Sequence, residues 1–176
     1  MSDEASVPLD LQQAFAGAYQ ELRRLAHARL YSSGGRNTVL DTTALVHETY
    51  LKLSRNSGAS FPDRLRFLVY AGKAMRSIIV DMVRQRQTER VGGDVELLTL
   101  TGTVADALPA EEAHILGVHE ALHAMAEVDP RMAQVVEMRY FAGMTDAEIA
   151  AALGVTDRSV RRDWEQARLF LAEALR

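Results

Sequence analysis

The sequence predicts an all-α protein in which a flexible acidic linker joins two small helical domains. Apolar residues recur at helical spacing along most of the chain, alternating Val, Ile and Thr are almost absent, and only 4 prolines interrupt the pattern. Residues 91–112 carry five acidic residues and adjacent glycines but no base, as is typical of a linker. We therefore expect a disordered start over residues 1–8 and helical domains at 9–90 and 113–176, the C-terminal one a helix-turn-helix.

The composition excludes several classes of protein. Cysteine is absent, which excludes a disulfide scaffold, an iron–sulfur site and a thiol nucleophile. The N-terminal segment has no features of a secretory signal, and no apolar run approaches the roughly 20 residues that span a bilayer. Glycine-rich phosphate loops and nucleophile elbows are missing as well. His119 and His123 lie four residues apart without a nearby third ligand, so we interpret them as surface or packing residues. We expect a cytoplasmic protein with no membrane contact, cofactor, metal or enzymatic activity.

Charge is distributed unevenly along the chain. The total is −4, but residues 1–90 carry +4, residues 91–112 carry −5 and residues 113–176 carry −3. Residues 64–90 alone hold seven basic and two acidic side chains. A basic helix face is therefore expected in the N-terminal half, and the acidic total does not exclude a nucleic-acid partner.

Three helices are predicted in the N-terminal half. The first covers residues 9–31, and the second covers residues 44–53 after three side chains (41–43) whose oxygens are suited to cap its first amides. A polar loop at residues 56–62 precedes a long helix from residue 63 to about 90. The predicted apolar stripe of this long helix consists of Phe67, Tyr70, Ala74, Ile78 and Met82.

The C-terminal half has a recognisable order of helix signals. A helix at 114–127 precedes Asp129-Pro130, a good N-cap and first-turn pair for a helix through about Phe141. Thr145 and Glu148 match a capping box, and the short helix after them ends at Gly154. A second helix then begins at Asp157 or Arg158, which predicts a helix-turn-helix.

The second helix of this motif has two faces. Its predicted inward residues are Val160, Trp164, Ala167 and Leu171. The residues predicted to face DNA are Arg158, Ser159, Arg161, Arg162 and Gln166. The alternative interpretation is an ordinary solvated face in which Asp163 and Glu165 balance the arginines.

Further stretches resemble extracytoplasmic-function (ECF) sigma factors. Residues 45–53 (Leu-Val-His-Glu-Thr-Tyr-Leu-Lys-Leu) resemble their polymerase-binding helix. Residues 67–84 resemble their promoter-melting helix and keep the spacing of Arg76, Asp81 and Arg84. Residues 128–155 resemble their fourth-region domain. Because the order and the linker also agree, the resemblance covers almost the whole chain.

The resemblance implies an alternative sigma factor that confers promoter specificity on core RNA polymerase. The N-terminal domain is then expected on the β′ clamp and the minus-ten element, and the C-terminal domain on the β flap and the minus-thirty-five element. The implied polymerase-binding residues are Asp41, Leu45, Val46, Glu48 and Thr49. The implied contacts to the melted promoter are Asn56, Ser57, Arg76, Arg84 and Gln85. A free-standing helix-turn-helix regulator of duplex operators is the alternative, and an anti-sigma partner on the apolar grooves stays open.

One departure from the family pattern suggests regulation. Before Leu45, ECF sigma factors usually carry Asp-Ala-Glu-Asp, whereas this chain has Asp41-Thr42-Thr43-Ala44. Two negative charges are missing, and a phosphothreonine restores about −1.5 to −2. We hypothesise that a Ser/Thr kinase activates the protein at Thr43 or Thr42. The alternative is that both threonines only cap the helix.

Overall fold

Helices make up almost all of the chain that the computed structural model describes, namely residues 8–31, 41–55, 58, 60–92 and 110–176. The all-α prediction is therefore confirmed for these residues. In chain order the helices are α1 (Leu11–Tyr31), α2 (Thr42–Ser54), α3 (Arg64–Gly92), α4 (Ala110–Val128), α5 (Pro130–Val136), α6 (Asp146–Leu153) and α7 (Asp157–Ala174). A π-helical segment, Glu137–Phe141, continues α5.

The start of α1 differs from the prediction. Leu9–Asp10 is a short strand, β1, which pairs antiparallel with β2 at Ser60–Phe61, so the polar loop predicted at 56–62 is partly a strand. The helix begins after Asp10 because the Asp10 carboxylate accepts the amide of Gln13 at 2.8 Å. The Gln13 side chain accepts the Asp10 amide in return at 3.2 Å, which closes a reciprocal cap.

Helices also extend into the stretch predicted as a linker. Helix α3 runs to Gly92 and α4 begins at Ala110, while residues 93–109 lie outside the described part of the chain. The predicted α5 ends early, since its last turn widens into the π segment, where the Ala142 amide donates to the Glu137 carbonyl oxygen.

The main core lies among α1, α2 and α3. Leu22, Leu45 and Phe67 are fully buried there, with Met75 and Val83 on the inward side of α3. Tyr70, which we expected in the apolar stripe of α3, is 58% exposed, so that part of the prediction is wrong. Its ring packs edge-on against Phe61 at 5.7 Å and has no place deeper in the core.

Residues on both sides of the predicted linker share this core. Val135, Met138 and Ile149 belong to the same buried cluster as Phe67 and Met75. A second cluster joins α4, α5 and α7 through Leu122, Met125, Met132, Val136 and Ala167. The C-terminal helices therefore pack on one another and also on α3.

Candidate nucleic-acid and polymerase interfaces

Helices α6 and α7 are joined by a tight turn with capping contacts on both sides. The Thr145 hydroxyl accepts the Glu148 amide at 3.3 Å, and the Glu148 carboxylate accepts the Thr145 amide at 2.8 Å, so the predicted capping box is confirmed. Gly154 ends α6 with φ of +66°, a left-handed conformation that favours glycine. Thr156 then caps α7 through the Ser159 amide, and the helix begins at Asp157 as predicted.

The outward face of α7 carries four of the five residues predicted to contact DNA. Arg158, Arg161, Arg162 and Gln166 are exposed, and Arg161 keeps 67% of its side chain accessible although it lies 3.5 Å from the Asp146 carboxylate. Ser159 is half-buried, and its hydroxyl lies 3.0 Å from the Thr156 hydroxyl. The arginines thus form a cationic surface, while Ser159 supports the start of the helix.

The inward face of α7 is held by a charge pair that the sequence did not reveal. Arg131 of α5 donates to Asp163 from Nε at 2.7 Å and from Nη2 at 3.1 Å, and these bonds raise the pKa of Arg131. Asp163 is only 1% exposed, so it is not part of the balanced, solvated face that we had considered as the alternative. Val160 and Ala167 are fully buried beside it, as predicted. A rigid base therefore supports the exposed arginines.

The basic side chains of α3 mostly contact other parts of this protein. Arg64 pairs with Glu21 of α1 at 2.6 Å. Arg66 donates to the carbonyl oxygen of Ala152 at 3.0 Å. Three further basic side chains pair with carboxylates C-terminal to α3: Lys73 and Arg76 with Glu137, and Arg86 with Glu112. Five of the seven basic side chains between residues 64 and 90 therefore make contacts within the chain, four of them with carboxylates.

The residues predicted to contact the melted promoter are in three different situations. Arg76 is half-buried against Glu137, and its guanidinium lies 5.5 Å from the centre of the Phe141 ring. Arg84 and Gln85 are exposed, and the Gln85 amide donates to Glu89 at 2.9 Å. Asn56 and Ser57 lie outside the described residues.

A cleft of about 540 Å³ lies between the end of α2, β2 and the first turns of α3. Phe61, Arg66 and Tyr70 line it, with Leu53, Ser60, Pro62 and Asp63 completing the wall. Tyr70, whose ring is exposed, and Arg66 therefore line the same concave site, while the Arg66 guanidinium also donates to the Ala152 carbonyl oxygen. Aromatic and cationic side chains in such a site are suited to a nucleobase and its phosphate. The sequence did not predict this cleft because it assigned Tyr70 to the core.

The residues predicted to bind polymerase divide into buried and exposed groups on α2. Leu45, Val46 and Thr49 are buried, and the Thr49 hydroxyl donates to the Leu45 carbonyl oxygen at 2.7 Å. Asp41 and Glu48 are exposed. The three buried residues position α2 in the core. The two exposed residues are accessible to a partner.

The two threonines before Leu45 are not the cap of α2. Asp41 alone is the N-cap, and its carboxylate accepts the Ala44 amide at 2.7 Å. Thr42 and Thr43 lie within the first helical turn, where Thr42 is half-buried and Thr43 is exposed. The alternative in which both threonines act only as N-caps is therefore wrong.

Helix α4 carries the two histidines that we interpreted as surface or packing residues, and of these His119 is half-buried and His123 is exposed. The rings of His119 and His123 meet edge to face at 4.6 Å. Burial lowers the pKa of His119, and the positive charge of Arg76 lowers it further. Among the described residues no three metal-ligating side chains form a group. No helix of that same part of the chain is long and apolar enough to cross a membrane.

A predominantly helical arrangement of the described residues, with an exposed arginine face on a capped helix, fits the class of DNA-binding transcription proteins. A family model described as ECF sigma factor matches residues 10–176. The chain therefore belongs to the ECF sigma factor family, whose members act with RNA polymerase in transcription initiation and are not enzymes. Comparisons with curated proteins and with solved structures find no match. The extent of the family match favours a sigma factor over a free-standing operator-binding regulator.

Proposed function

We propose that this sigma factor reads promoters through two of its surfaces, one in each half of the chain. Residues 9–90 form the domain for core polymerase and the minus-ten element, and residues 113–176 form a helix-turn-helix domain for the minus-thirty-five element, with residues 91–112 as the linker. The family match over 10–176 carries the proposal. Run-off transcription with purified core polymerase tests it, and failure to initiate with both the unmodified and the kinase-treated protein contradicts it.

Helix α7 reads the minus-thirty-five duplex. Its exposed arginines lie next to a capped helix N-terminus, where positive charge and free amides favour phosphates. Each phosphate contact contributes about −0.9 to the slope of log K against log salt. Arg161→Ala and Arg162→Ala should each make that slope shallower by about this amount. Arg168→Ala is the control, because this exposed arginine lies further along the same helix beside Glu165. An unchanged slope in both variants contradicts the assignment.

The cleft at β2 and α3 receives an unstacked base of the minus-ten strand. Tyr70 offers an exposed ring beside Phe61, and Arg66 offers a guanidinium. Base stacking on an aromatic side chain contributes about 1–3 kcal/mol. Tyr70→Ala should therefore weaken binding of a single-stranded minus-ten oligonucleotide to the polymerase holoenzyme by about fivefold or more. Tyr140→Ala, which removes an exposed tyrosine from the C-terminal half, should leave that affinity unchanged.

The exposed side of α2 contacts the β′ clamp. Asp41 and Glu48 are accessible there, and Leu51 adds an apolar side chain that is 36% exposed. Acidic groups steer association with a basic partner surface, so removing one mainly slows association. Glu48→Gln should lower the association rate with core polymerase. Glu173→Gln, at the far end of the chain, is the matched control.

Phosphorylation of Thr43 strengthens this polymerase contact. Thr43 is exposed in the first turn of α2, which contains no acidic side chain, and a phosphate there interacts favourably with the helix dipole. Kinase treatment should raise the affinity for core polymerase in the wild type but not in Thr43→Ala. Thr42→Ala is the control, because Thr42 is half-buried and less accessible. Equal affinity of the wild type and Thr43→Ala, each with and without kinase treatment, contradicts the regulation while leaving the sigma function intact.

A further inference from the structure

A single carboxylate from the C-terminal half occupies the basic face of α3. Glu137, the first residue of the π segment, lies 2.6 Å from Arg76 Nη2 and 3.1 Å from Lys73 Nζ. The Glu137 and Arg76 side chains are only 14% and 17% exposed, and Lys73 is 48% exposed. One anion therefore pairs with two cations, leaving one positive charge in excess, in a partly desolvated contact where the attraction is stronger than at an open surface.

The backbone around this contact is closely packed. A Cβ atom added to Gly72 comes within 2.8 Å of the Phe141 carbonyl oxygen, so α3 and the π segment touch through their main chains. Arg66, about two turns before Lys73, donates to the Ala152 carbonyl oxygen at the end of α6. These contacts close the C-terminal helices onto the side of α3 that carries its cations.

This closed arrangement is incompatible with simultaneous contact to both promoter elements. The minus-ten and minus-thirty-five elements are about 25 base pairs apart, which corresponds to roughly 85 Å of DNA at about 3.4 Å per pair. A compact chain of 176 residues has a radius of gyration of only about 16 Å. The two halves must therefore separate before the protein engages a promoter, and separation breaks the contacts of Glu137.

We propose that Glu137 acts as an internal substitute for a nucleic-acid phosphate, holding the chain closed by occupying the cation pair Lys73 and Arg76. A phosphodiester backbone presents anionic oxygens to the same two cations. DNA and Glu137 therefore compete for these two cations. The apparent DNA affinity is that of the open form multiplied by the fraction of molecules that are open. The inference rests on the proposed function, since it assigns α3 a nucleic-acid ligand.

The test compares Glu137→Gln with Glu127→Gln in the full-length protein. Both variants remove one negative charge from the C-terminal half, but Glu127 is exposed on α4. Fluorescence anisotropy with a labelled single-stranded oligonucleotide, without polymerase, measures affinity, and small-angle X-ray scattering measures the radius of gyration. Glu137→Gln should expand the protein and bind DNA on the order of fivefold more tightly than Glu127→Gln.

Two further variants separate competition from a purely structural role. Arg76→Gln should also expand the protein, because Glu137 loses one of its two cationic partners. Its affinity for DNA should not rise, because the same substitution removes a cation that would contact the DNA phosphate. Gly72→Ala keeps every charge while pushing α3 and the π segment apart, so it should bind DNA more tightly even if Glu137→Gln fails to fold.

The outcomes distinguish this inference from the proposed function. Equal affinity in Glu137→Gln and Glu127→Gln overturns the inference, as does expansion of Glu137→Gln without tighter binding. If no variant initiates transcription with core polymerase but Glu137→Gln still binds DNA more tightly, the sigma function fails and the internal competition stands.

Discussion

The glycine at the contact between α3 and the π segment gives a sharp test of the closed arrangement. A methyl group at Gly72 would lie 2.8 Å from the Phe141 carbonyl oxygen and 2.9 Å from its carbon. Ordinary contact begins near 3.4 Å, so Gly72→Ala requires the two backbones to move apart by about 0.6 Å. Neither neighbour is a side chain that can rotate away.

Two opposing effects determine the stability of Gly72→Ala. Overpacking of a close contact costs about 1–3 kcal/mol. Alanine in a helix interior stabilises the folded state by about 0.8–1.0 kcal/mol relative to glycine. Gly17→Ala isolates the second effect, because Gly17 is a glycine of α1 with no atom within 4 Å of the added Cβ. Subtracting one variant from the other leaves the overpacking alone.

Urea unfolding and thermal unfolding measure this difference. Gly17→Ala should raise the free energy of unfolding, and Gly72→Ala should lie about 1–3 kcal/mol below it. For a chain of this length that is roughly 2–12 °C between the two Tm values. Hydrogen exchange should also become faster in the π segment of Gly72→Ala only. If the two variants are equally stabilised, the main chains of α3 and the π segment do not touch, and the closed form is contradicted.

Two further predictions concern buried charge and pH. Asp163→Asn keeps the shape of the side chain but removes the charge from both bonds with Arg131, so it should lower Tm by a few degrees. Glu165→Gln, on the exposed side of α7, is the control and should have little effect on Tm. Because burial lowers the folded-state pKa of His119 below 6.5, the unfolded chain takes up the proton first. Stability should therefore fall as the pH drops through about 6.5 toward the lowered pKa, and His119→Gln should remove that loss, with His114→Gln on the same helix as the control.

The features that the sequence predicted are those that depend on neighbouring residues. Helical periodicity located α1 to α7 to within a few residues, and the caps at Thr145, Asp129 and Gly154 followed from short-range rules. The exposed arginines of α7 followed from the same periodicity.

The features that escaped prediction depend on how distant segments pack. Asp163 and Arg131 are 32 residues apart, and in the sequence Asp163 looks like one more solvated charge among arginines. The pairing of β1 with β2 involves only two residues on each strand, which is too short for any alternating pattern. Tyr70 lies at an apolar spacing but outside the core, because alanines at 71 and 74 and Met75 fill the inward side of α3.

The unexpected partners of α3 change what its charge implies about DNA binding. A count of basic residues between 64 and 90 suggests a permanently attractive surface. In the folded chain, however, Glu137 and Glu112 face that surface from outside the N-terminal half, so the field that DNA meets depends on whether the halves are closed. Under the proposed function, core polymerase and promoter DNA both bind the open form. Each of them therefore lowers the free energy that the other must supply to open the protein. Under the inferred competition, the contact that polymerase removes also suppresses nonspecific DNA binding by the free protein, so promoter engagement depends on assembly with polymerase.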